Sequence, residues 1–584
     1  MGEVIARRFD RRDLLKGVLA TTAMTAVMGA AASLPRPANA SGLPRFTFTE
    51  IAHGVDETHH VAPGYSADVL IRWGDAVMPG APAFDPLAQS PDKQLKQFGY
   101  NNDFLGFAPL PVGSRGSDHG LLCINHEYTS HEVMFPKLGR QDSKEVNFKD
   151  YTREIVDIEL AAHGASIVEI RKTGGKWGVV KDSAYARRIT PLGTEMRLSG
   201  PAAGHARLKT QADPTGTKVV GMLNNCAGGM TPWGTYLTAE ENFNGYFWGK
   251  AEGHPDEALL KRYGAPGGWY PWGKFYDRFD VAKEPNEINR FGWIVEIDPY
   301  DPTATPIKRT ALGRFKHEGC ETIVNKDGRV VIYSGDDERF DYVYKFVTAG
   351  RYDANNRAAN RDLLDTGTLF VARFDADGSV TWIPLVFGQG PLTAANGFDS
   401  QGDVLIQARR AGDLLGATKM DRPEDVEPNP VNGKVYVVLT NNERRTAGQA
   451  DKTNPRASNI WGQIVEITPT DGDHAAVAGK WEMLVLCGNP ADPATGATWN
   501  KATSANGWFA CPDNAAVDHQ GRLWITTDQG SGWKRASGTA DGVWALETEG
   551  PMRGTGKYFY RVPIGAEMCG PCFTPDDRTL FVAV

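Results

Sequence analysis

The sequence lacks several features that would define a common class of protein. After its N-terminal segment it has no run of about 18 apolar residues, so no membrane-spanning helix is expected there. Its seven cysteines are an odd number in a long chain and do not indicate a disulfide framework. A net charge of -8 disfavours nucleic acid and anionic lipid as partners.

Common catalytic motifs are missing as well. The sequence contains no GxSxG nucleophile elbow, no P-loop and no HExxH zinc motif. A serine nucleophile is therefore not indicated. Cys569 and Cys572 form a CxxC, but no second cysteine pair stands at zinc-finger spacing, so this pair is a weak metal signal.

The N-terminal residues are typical of an export signal. The segment RRDLLK from Arg11 precedes an alanine-rich apolar run that ends near Ala40. We predict that residues 1–40 are a twin-arginine signal, read by the twin-arginine export machinery, with an ordinary secretory signal as the alternative. The mature protein is then expected to be periplasmic or extracellular and to have no stable membrane anchor.

The composition of the remaining chain favours β-structure. It is rich in turn residues, with 65 glycines and 36 prolines, and aromatic residues make up 10% of the sequence. No low-complexity linker divides residues 41–584. We therefore predict one all-β domain over residues 41–584, with long insertions and little helix, that exists as a monomer.

A sequence block recurs along this domain, with copies from His317, Arg422 and Cys511 and looser copies from Ala395 and Gly570. In each of the first three copies an acidic residue precedes a glycine and a short β-forming run. Such blocks are typical of the inner strands of a β-propeller, in which a glycine turn joins one strand to the next. An open array of β-sandwiches is the structural alternative.

Three acidic residues occupy equivalent places in these copies: Glu318, Glu424 and Asp513. In a propeller, equivalent positions meet at the central channel, where several carboxylates would repel one another strongly. Bound cations would relieve this repulsion, and hard oxygen ligands suit calcium. The alternative for each residue is that it merely caps a turn.

Longer motifs resemble a known family. They are GYSADVLIRWGD from Gly64, NHEY from Asn125, NNCAGGMTPWGTYLTAEEN from Asn224, KHEGCETIVNKDGRVVIYSGDDERFDYVYKF from Lys316, DRPEDVEPNP from Asp421 and GAEMCGPCFTPDDRTLF from Gly565. They stand in the same order as in the PhoX alkaline phosphatases, which the chain resembles from about His60 to its last residue. The twin-arginine signal also fits this family.

The resemblance implies a propeller with six blades and a channel that holds Fe3+ and Ca2+. It implies a secreted phosphomonoesterase that acts on small phosphate esters and releases inorganic phosphate. Cys226 matches the thiolate ligand of iron. The other implied metal ligands are Glu241, Glu318, Glu424 and Asp513, followed by Glu127, Asp336 and Asn514.

Two details of this assignment stay open. Glu240 could take the place of Glu241, because neighbouring residues in a strand point to opposite faces. Arg422 is the candidate for phosphate binding, because a guanidinium binds two phosphate oxygens at once and keeps its charge at alkaline pH. Its alternative is a surface arginine in a salt bridge.

Other polar residues carry weaker signals. The adjacent His59 and His60 are not expected to share a metal ion, His317 is expected to orient Glu318, and the NNDF segment from Asn101 looks like a polar turn. The sequence ends inside a strand pattern, so the last blade is predicted to be incomplete. The alternative functions are a calcium-dependent propeller lactonase or esterase and a propeller that only binds a partner.

Overall fold

In the computed structural model, which describes residues 45–584, the regular structure consists mainly of short strands, nearly all of which pair in antiparallel fashion. The export signal predicted at residues 1–40 lies outside these residues. The strands are β1 His60–Val61, β2 Leu105–Pro109, β3 His119–His126, β4 Gly164–Thr173, β5 Lys176–Val179, β6 Arg187–Ile189, β7 Glu195–Ser199, β8 Lys218–Val220, β9 Asn225–Met230, β10 Tyr236–Glu240, β11 Ile294–Ile297, β12 Ile307–Arg309, β13 His317–Val324, β14 Arg329–Asp336, β15 Val343–Arg351, β16 Gly367–Phe374, β17 Ser379–Pro384, β18 Pro423–Pro428, β19 Val435–Leu439, β20 Gln463–Pro469, β21 Ala478–Leu486, β22 Pro512–Val517, β23 Leu523–Thr527, β24 Gly542–Leu546, β25 Gly556–Arg561, β26 Cys569–Phe573 and β27 Leu580–Ala583. The α-helices are short: α1 Pro91–Gln94, α2 His131–Met134, α3 Arg153–Ala162, α4 Glu257–Arg262, α5 Gln401–Ile406, α6 Ala408–Leu415 and α7 Trp533–Ala536.

Six strands form a closed ring at the centre of the fold. Each begins one blade, and each contacts the first strand of the two neighbouring blades, in the order β2, β9, β13, β18, β22 and β26. Further strands extend each blade outwards, as in β13-β14-β15-β16-β17 and β18-β19-β20-β21, while the last blade consists of β26 and β27. This ring confirms the predicted all-β propeller with six blades.

The recurring sequence block forms the first two strands of three blades, as predicted. Gly328, Gly433 and Gly521 each stand between an inner strand and the buried strand that follows it, and their φ angles lie between 73° and 85°. Glycine adopts such left-handed angles without steric cost, which explains the glycine in every copy. The looser copy from Gly570 also forms two strands, β26 and β27.

The copy predicted from Ala395 is wrong, because this segment forms α5 and α6 instead of two strands. The hydroxyl of Ser400 accepts a hydrogen bond from the backbone N–H of Asp403 and caps α5. Val404 and Leu405 are then buried together on the helix. A local capping signal thus outweighed the weak repeat pattern.

Apolar side chains fill the space between neighbouring blades. Val331 and Tyr333 of β14 belong to one buried cluster with Val437 of β19 and Val465 of β20, which joins two adjacent blades. Burial of this kind stabilises the ring and so fixes the inner strands around the channel. Within residues 45–584, no helix has the length and apolar character needed to cross a membrane.

Candidate metal and phosphate site

Acidic and thiol side chains from all six blades meet where the inner strands begin. Most of them precede or start an inner strand, and two follow the second strand of a blade. They are Asp103 and Glu127 of the first blade, Cys226 and Glu241 of the second, Glu318, Glu424 and Asp513 of the next three, and Glu567 and Cys569 of the last. Residues far apart in sequence thus share one end of the channel.

Four groups of these side chains lie close enough together to bind a metal ion, and two of the groups share the thiol of Cys226. This thiol lies with the carboxylates of Glu127 and Glu241 in one group and with those of Asp103 and Glu318 in another. Within each group the possible ligand atoms all lie within 4.8 Å of one another, and every member is buried. That spacing allows a single ion to contact all three side chains of a group.

Two further groups continue the cluster through shared carboxylates. Glu318 lies within 4.8 Å of Glu424 and Asp513, and Asp513 belongs in turn to a group with Asp103, Glu567 and Cys569. We call the nine residues of these four groups the channel cluster. Because its groups share Cys226 and several carboxylates, the cluster has room for several ions side by side.

Burial and mutual repulsion make the charged state of these carboxylates costly. Burial raises the pKa of Asp103 to about 6. The pKa values of Glu318, Glu424 and Asp513 lie well above their ordinary values, first because of burial and then because of neighbouring carboxylates. Without a cation, such groups hold protons; a bound cation would displace those protons and compensate the charge.

Three carboxylate oxygens mark where cations fit. Oδ2 of Asp103, Oε2 of Glu318 and Oδ1 of Asp337 are buried, and none has a hydrogen-bond partner among residues 45–584. Unsatisfied buried oxygens are rare and costly in folded proteins. The donor set combines hard carboxylate oxygens with two thiols, so it suits both a hard cation and a thiolate-binding metal.

The structure distinguishes Glu241 from Glu240. Glu240 points away from the channel and forms a fully buried ion pair with Lys308, with Nζ 2.7 Å from Oε1. Its two oxygens also accept backbone N–H groups from Leu223, Gly292 and Trp293. Since these contacts use the whole carboxylate, only Glu241 joins the channel cluster.

Two further predicted ligands are not among the nine residues of the channel cluster. Asn514 lies inside the site, but its amide nitrogen faces Asp103 and Glu318 at 3.2 and 3.5 Å, so it supports these carboxylates. Asp336 lies outside the four groups, and its carboxylate forms a buried ion pair with the guanidinium of Arg409. Its neighbour Asp337 is the residue that faces the site.

Arg422 stands beside the cluster in an unusual backbone conformation. Its φ angle is 54°, in the left-handed region that costs a residue with a side chain about 1–2 kcal/mol. Its Nη2 lies 2.6 Å from Oδ2 of Asp337 and 3.1 Å from Oε1 of Glu424. The guanidinium of Arg422 therefore lies against Glu424, and 21% of the Arg422 side chain remains exposed to solvent.

Sequence reasoning missed three members of the cluster. Asp103 belongs to the NNDF segment that looked like a turn, and its backbone N–H donates to Oδ1 of Asn125 in the neighbouring strand. Glu567 and Cys569 belong to a motif that contributed to the family resemblance, although the CxxC itself gave only a weak signal. The order of the motifs, one per blade, was the signal that could have found them.

The three histidines that gave only weak signals in the sequence lie outside the channel cluster. His59 bonds to the hydroxyl of Tyr560, and His60 pairs with Asp56 at 2.8 Å. The ring of His317 bonds to the carbonyl of Gly313, so its contacts are structural.

Comparison with known proteins identifies the family. Residues 46–584 match the family model described as alkaline phosphatase PhoX. The solved structure of Pseudomonas fluorescens PhoX in complex with vanadate, a transition state analogue, is 41% identical, with 92% of each chain covered and a TM-score of 0.85. No match was found among the curated proteins.

A more distant similarity carries no argument about function. The gluconolactonase XC5397 from Xanthomonas campestris is 12% identical, with 67% of this chain and 82% of that chain covered and a TM-score of 0.25. The lactonase alternative therefore gains nothing from it. The family match and the PhoX structure both describe phosphatases, and the chain belongs to the PhoX family of alkaline phosphatases, which are phosphomonoesterases.

Proposed function

We propose that this phosphomonoesterase holds Fe3+ and Ca2+ in the channel cluster and that Arg422 binds the phosphate of the ester beside them. The observation that carries the proposal is the meeting of seven carboxylates and two thiols within four overlapping groups. Such a density of negative charge needs cations. Thiolate suits iron, and carboxylate oxygens at irregular spacing suit calcium.

The thiol of Cys226 divides the proposed ligands into two sets. Glu127, Glu241, Asp103 and Glu318 surround this thiol and would hold iron with it. Glu424 and Asp513 form a separate group with Glu318, and this group offers oxygens only, as calcium requires. Asn514 would keep Asp103 and Glu318 in place, because its amide nitrogen faces both.

The chemistry divides between the ions and the protein side chains. When bound, the ions neutralise charge on the phosphate and lower the pKa of a nearby water. Arg422 donates N–H groups to phosphate oxygens and keeps its charge at alkaline pH. Asp337 and Glu424 hold the guanidinium in place, and burial of the cluster keeps bulk water from the carboxylates.

Elemental analysis tests this proposal directly. The protein should be purified without added chelator, its iron and calcium measured, and its activity on p-nitrophenyl phosphate followed during chelation and after each metal is returned. We expect both metals in the active protein and recovery only when both are restored. Full activity in protein free of iron would overturn the assignment.

We also propose an exported, monomeric protein with one mature domain over residues 41–584. The support is the sequence signal at residues 1–40, which contains Arg11 and Arg12. Replacing both arginines by lysine should retain the full-length precursor in the cytoplasm. Export of the lysine variant at the normal rate would indicate the ordinary secretory route instead.

A further inference from the structure

Three loops meet beside Arg422 and form one surface at the end of the channel. Phe340 donates its N–H to the carbonyl of Met420 at 2.9 Å, and Arg339 forms a β-bridge with Asp421. Thr440 donates its N–H to the carbonyl of Arg422 at 3.2 Å. These backbone contacts bring the loops after β14 and after β19 to the segment that carries the phosphate-binding candidate.

An ion pair holds the loop after β19, which carries Arg444, against the segment that carries Arg422. Nε of Arg445 lies 2.5 Å from Oδ1 of Asp421, and its Nη2 donates to the carbonyl of Lys419. Both side chains of the pair are almost fully buried. Arg444, the preceding residue, therefore lies on a loop that is fixed against the segment carrying Arg422, and its own side chain is exposed.

Two arginines on this surface have little negative charge to compensate them. The carboxylate of Glu338 comes no closer than 3.8 Å to the guanidinium of Arg339, and it is shared with Lys316, whose Nζ lies 3.1 Å away. Nε of Arg339 is buried and has no hydrogen-bond partner within residues 45–584. In the same part of the chain, Arg444 makes no ion pair, and the carboxylate of its neighbour Glu443 pairs with Arg535.

The charge of Arg422 is compensated in a different way. Two carboxylates contact its guanidinium, Asp337 at 2.6 Å and Glu424 at 3.1 Å. By contrast, the pKa of Arg339 is lowered, first by burial and then by the positive charge of Arg422. Arg444 contributes to the same lowering, and the backbone contacts place all three arginines on adjoining loops.

We propose that Arg339 and Arg444 form a second anion subsite, which selects phosphate esters that carry a further anionic group. While the reacting phosphate lies against Arg422, a carboxylate or second phosphate elsewhere in the substrate would reach these two guanidinium groups. Such a group would pair with the uncompensated charge of both arginines and would satisfy the Nε of Arg339.

Matched substrates measure this selection. 3-Phosphoglycerate and glycerol 3-phosphate differ only in a carboxylate that replaces a hydroxymethyl group, and fructose 1,6-bisphosphate and fructose 6-phosphate differ in one phosphate. The variants are Arg339→Gln, Arg444→Gln and the double variant. Arg373→Gln is the control, because Arg373 is an exposed residue on β16, three strands away from the inner strand of its blade.

We expect kcat/KM of the native protein to favour the member with a second anionic group in at least one pair. Each single variant should reduce that preference about fivefold, the upper range for an ion pair near solvent, and the double variant should abolish it. Added salt should reduce the preference of the native protein and leave the double variant unaffected, since exposed charges are screened. If the two arginines had a merely structural role, their replacement would lower kcat/KM equally for both substrates of a pair.

The inference rests on the proposed phosphate binding by Arg422, and the two can fail separately. An unchanged preference in both variants and for both pairs would overturn the second subsite, while phosphatase activity itself would persist. If Arg422→Ala leaves phosphate inhibition intact, the position of the reacting phosphate is wrong, and the selection has no basis. Either conclusion requires that the Arg373→Gln control show the same substrate preference as the native protein.

Discussion

Nη2 of Arg422 lies 2.6 Å from Oδ2 of Asp337, and this ion pair joins two neighbouring blades at the end of the channel. The second oxygen of Asp337 is buried and unpaired within the described chain. The carboxylate can thus hold the guanidinium on one side and face the channel cluster on the other. Asp337 of one blade thereby positions Arg422, the phosphate-binding candidate of the next blade.

Replacing Arg422 tests its role in phosphate binding. We expect Arg422→Ala to raise both KM and the inhibition constant of inorganic phosphate by about 10- to 100-fold, the loss of a hydrogen bond to a charged group. Arg422→Lys should recover only part of this, because lysine keeps the charge but cannot bind two oxygens in a plane. Steady-state kinetics with p-nitrophenyl phosphate provide both constants. If KM and phosphate inhibition are unchanged in the alanine variant, Arg422 does not bind phosphate.

Cys226 offers a test of the proposed iron site. We expect Cys226→Ala to lose iron and activity together, since its thiol is common to two groups of the cluster. We also expect the native protein to absorb visible light through charge transfer from thiolate to ferric iron, and the variant to lack this absorption. Cys320→Ala is the matched control, because Cys320 is equally buried but packs in an apolar cluster between blades. Retention of full iron content in the Cys226 variant would refute the thiolate ligand.

The fold could be predicted because its signal is local and repeated. An acidic residue, a glycine turn and a buried strand recur in each of three copies, and a propeller brings equivalent positions together. This geometry is the reason why Glu318, Glu424 and Asp513 could be grouped without any contact information. Their proximity follows from the repeat, although about 100 residues separate each from the next.

The parts that could not be predicted depend on single side-chain directions. Asp336 and Asp337 are adjacent acids, and only the position of Arg409 on α6 determines that Asp336 pairs away from the site. Likewise, the buried ion pair with Lys308 holds the carboxylate of Glu240 away from the channel. Such partners lie far away in sequence and have no repeat pattern, so the sequence alone does not indicate which of two neighbouring acids faces the cluster.

Removal of the metal ions should make the folded protein less stable as pH rises. The raised pKa of Asp103, about 6, and those of other cluster carboxylates mean that the metal-free folded state binds more protons than the unfolded chain. Its stability is then fully present below the ordinary carboxyl pKa and falls as pH rises through about 6. We expect Tm of the chelated protein to fall between pH 4.5 and pH 7.5.

The metal-loaded protein provides the comparison. Bound cations replace the protons, so the same rise in pH should leave its Tm nearly unchanged or raise it. Differential scanning calorimetry of both forms in the same buffers measures the two slopes. A chelated protein that gains stability as pH rises would show that the cluster carboxylates are charged and compensated without metal, contrary to this account.

The buried ion pair of Lys308 and Glu240 should contribute strongly to stability. Both side chains are completely buried, and Lys308 also donates to the carbonyl of Arg290 at 3.0 Å. Lys308→Met leaves the carboxylate of Glu240 without its cation in a low-dielectric site. We expect the free energy of unfolding to fall by about 3 to 5 kcal/mol, measured by urea denaturation of the metal-loaded protein.

An exposed pair in the same protein supplies the control. Nζ of Lys261 lies 2.6 Å from Oε1 of Glu257 on α4, but both side chains are well exposed. Lys261→Met should therefore change the free energy of unfolding by less than about 1 kcal/mol. The double variant of Lys308→Met with Glu240→Gln should lose less than the sum of the two single losses, because neither buried charge is then left without a partner. Additive losses would mean that Lys308 acts through its packing on Phe291 instead, whose ring lies 3.9 Å below its ammonium group.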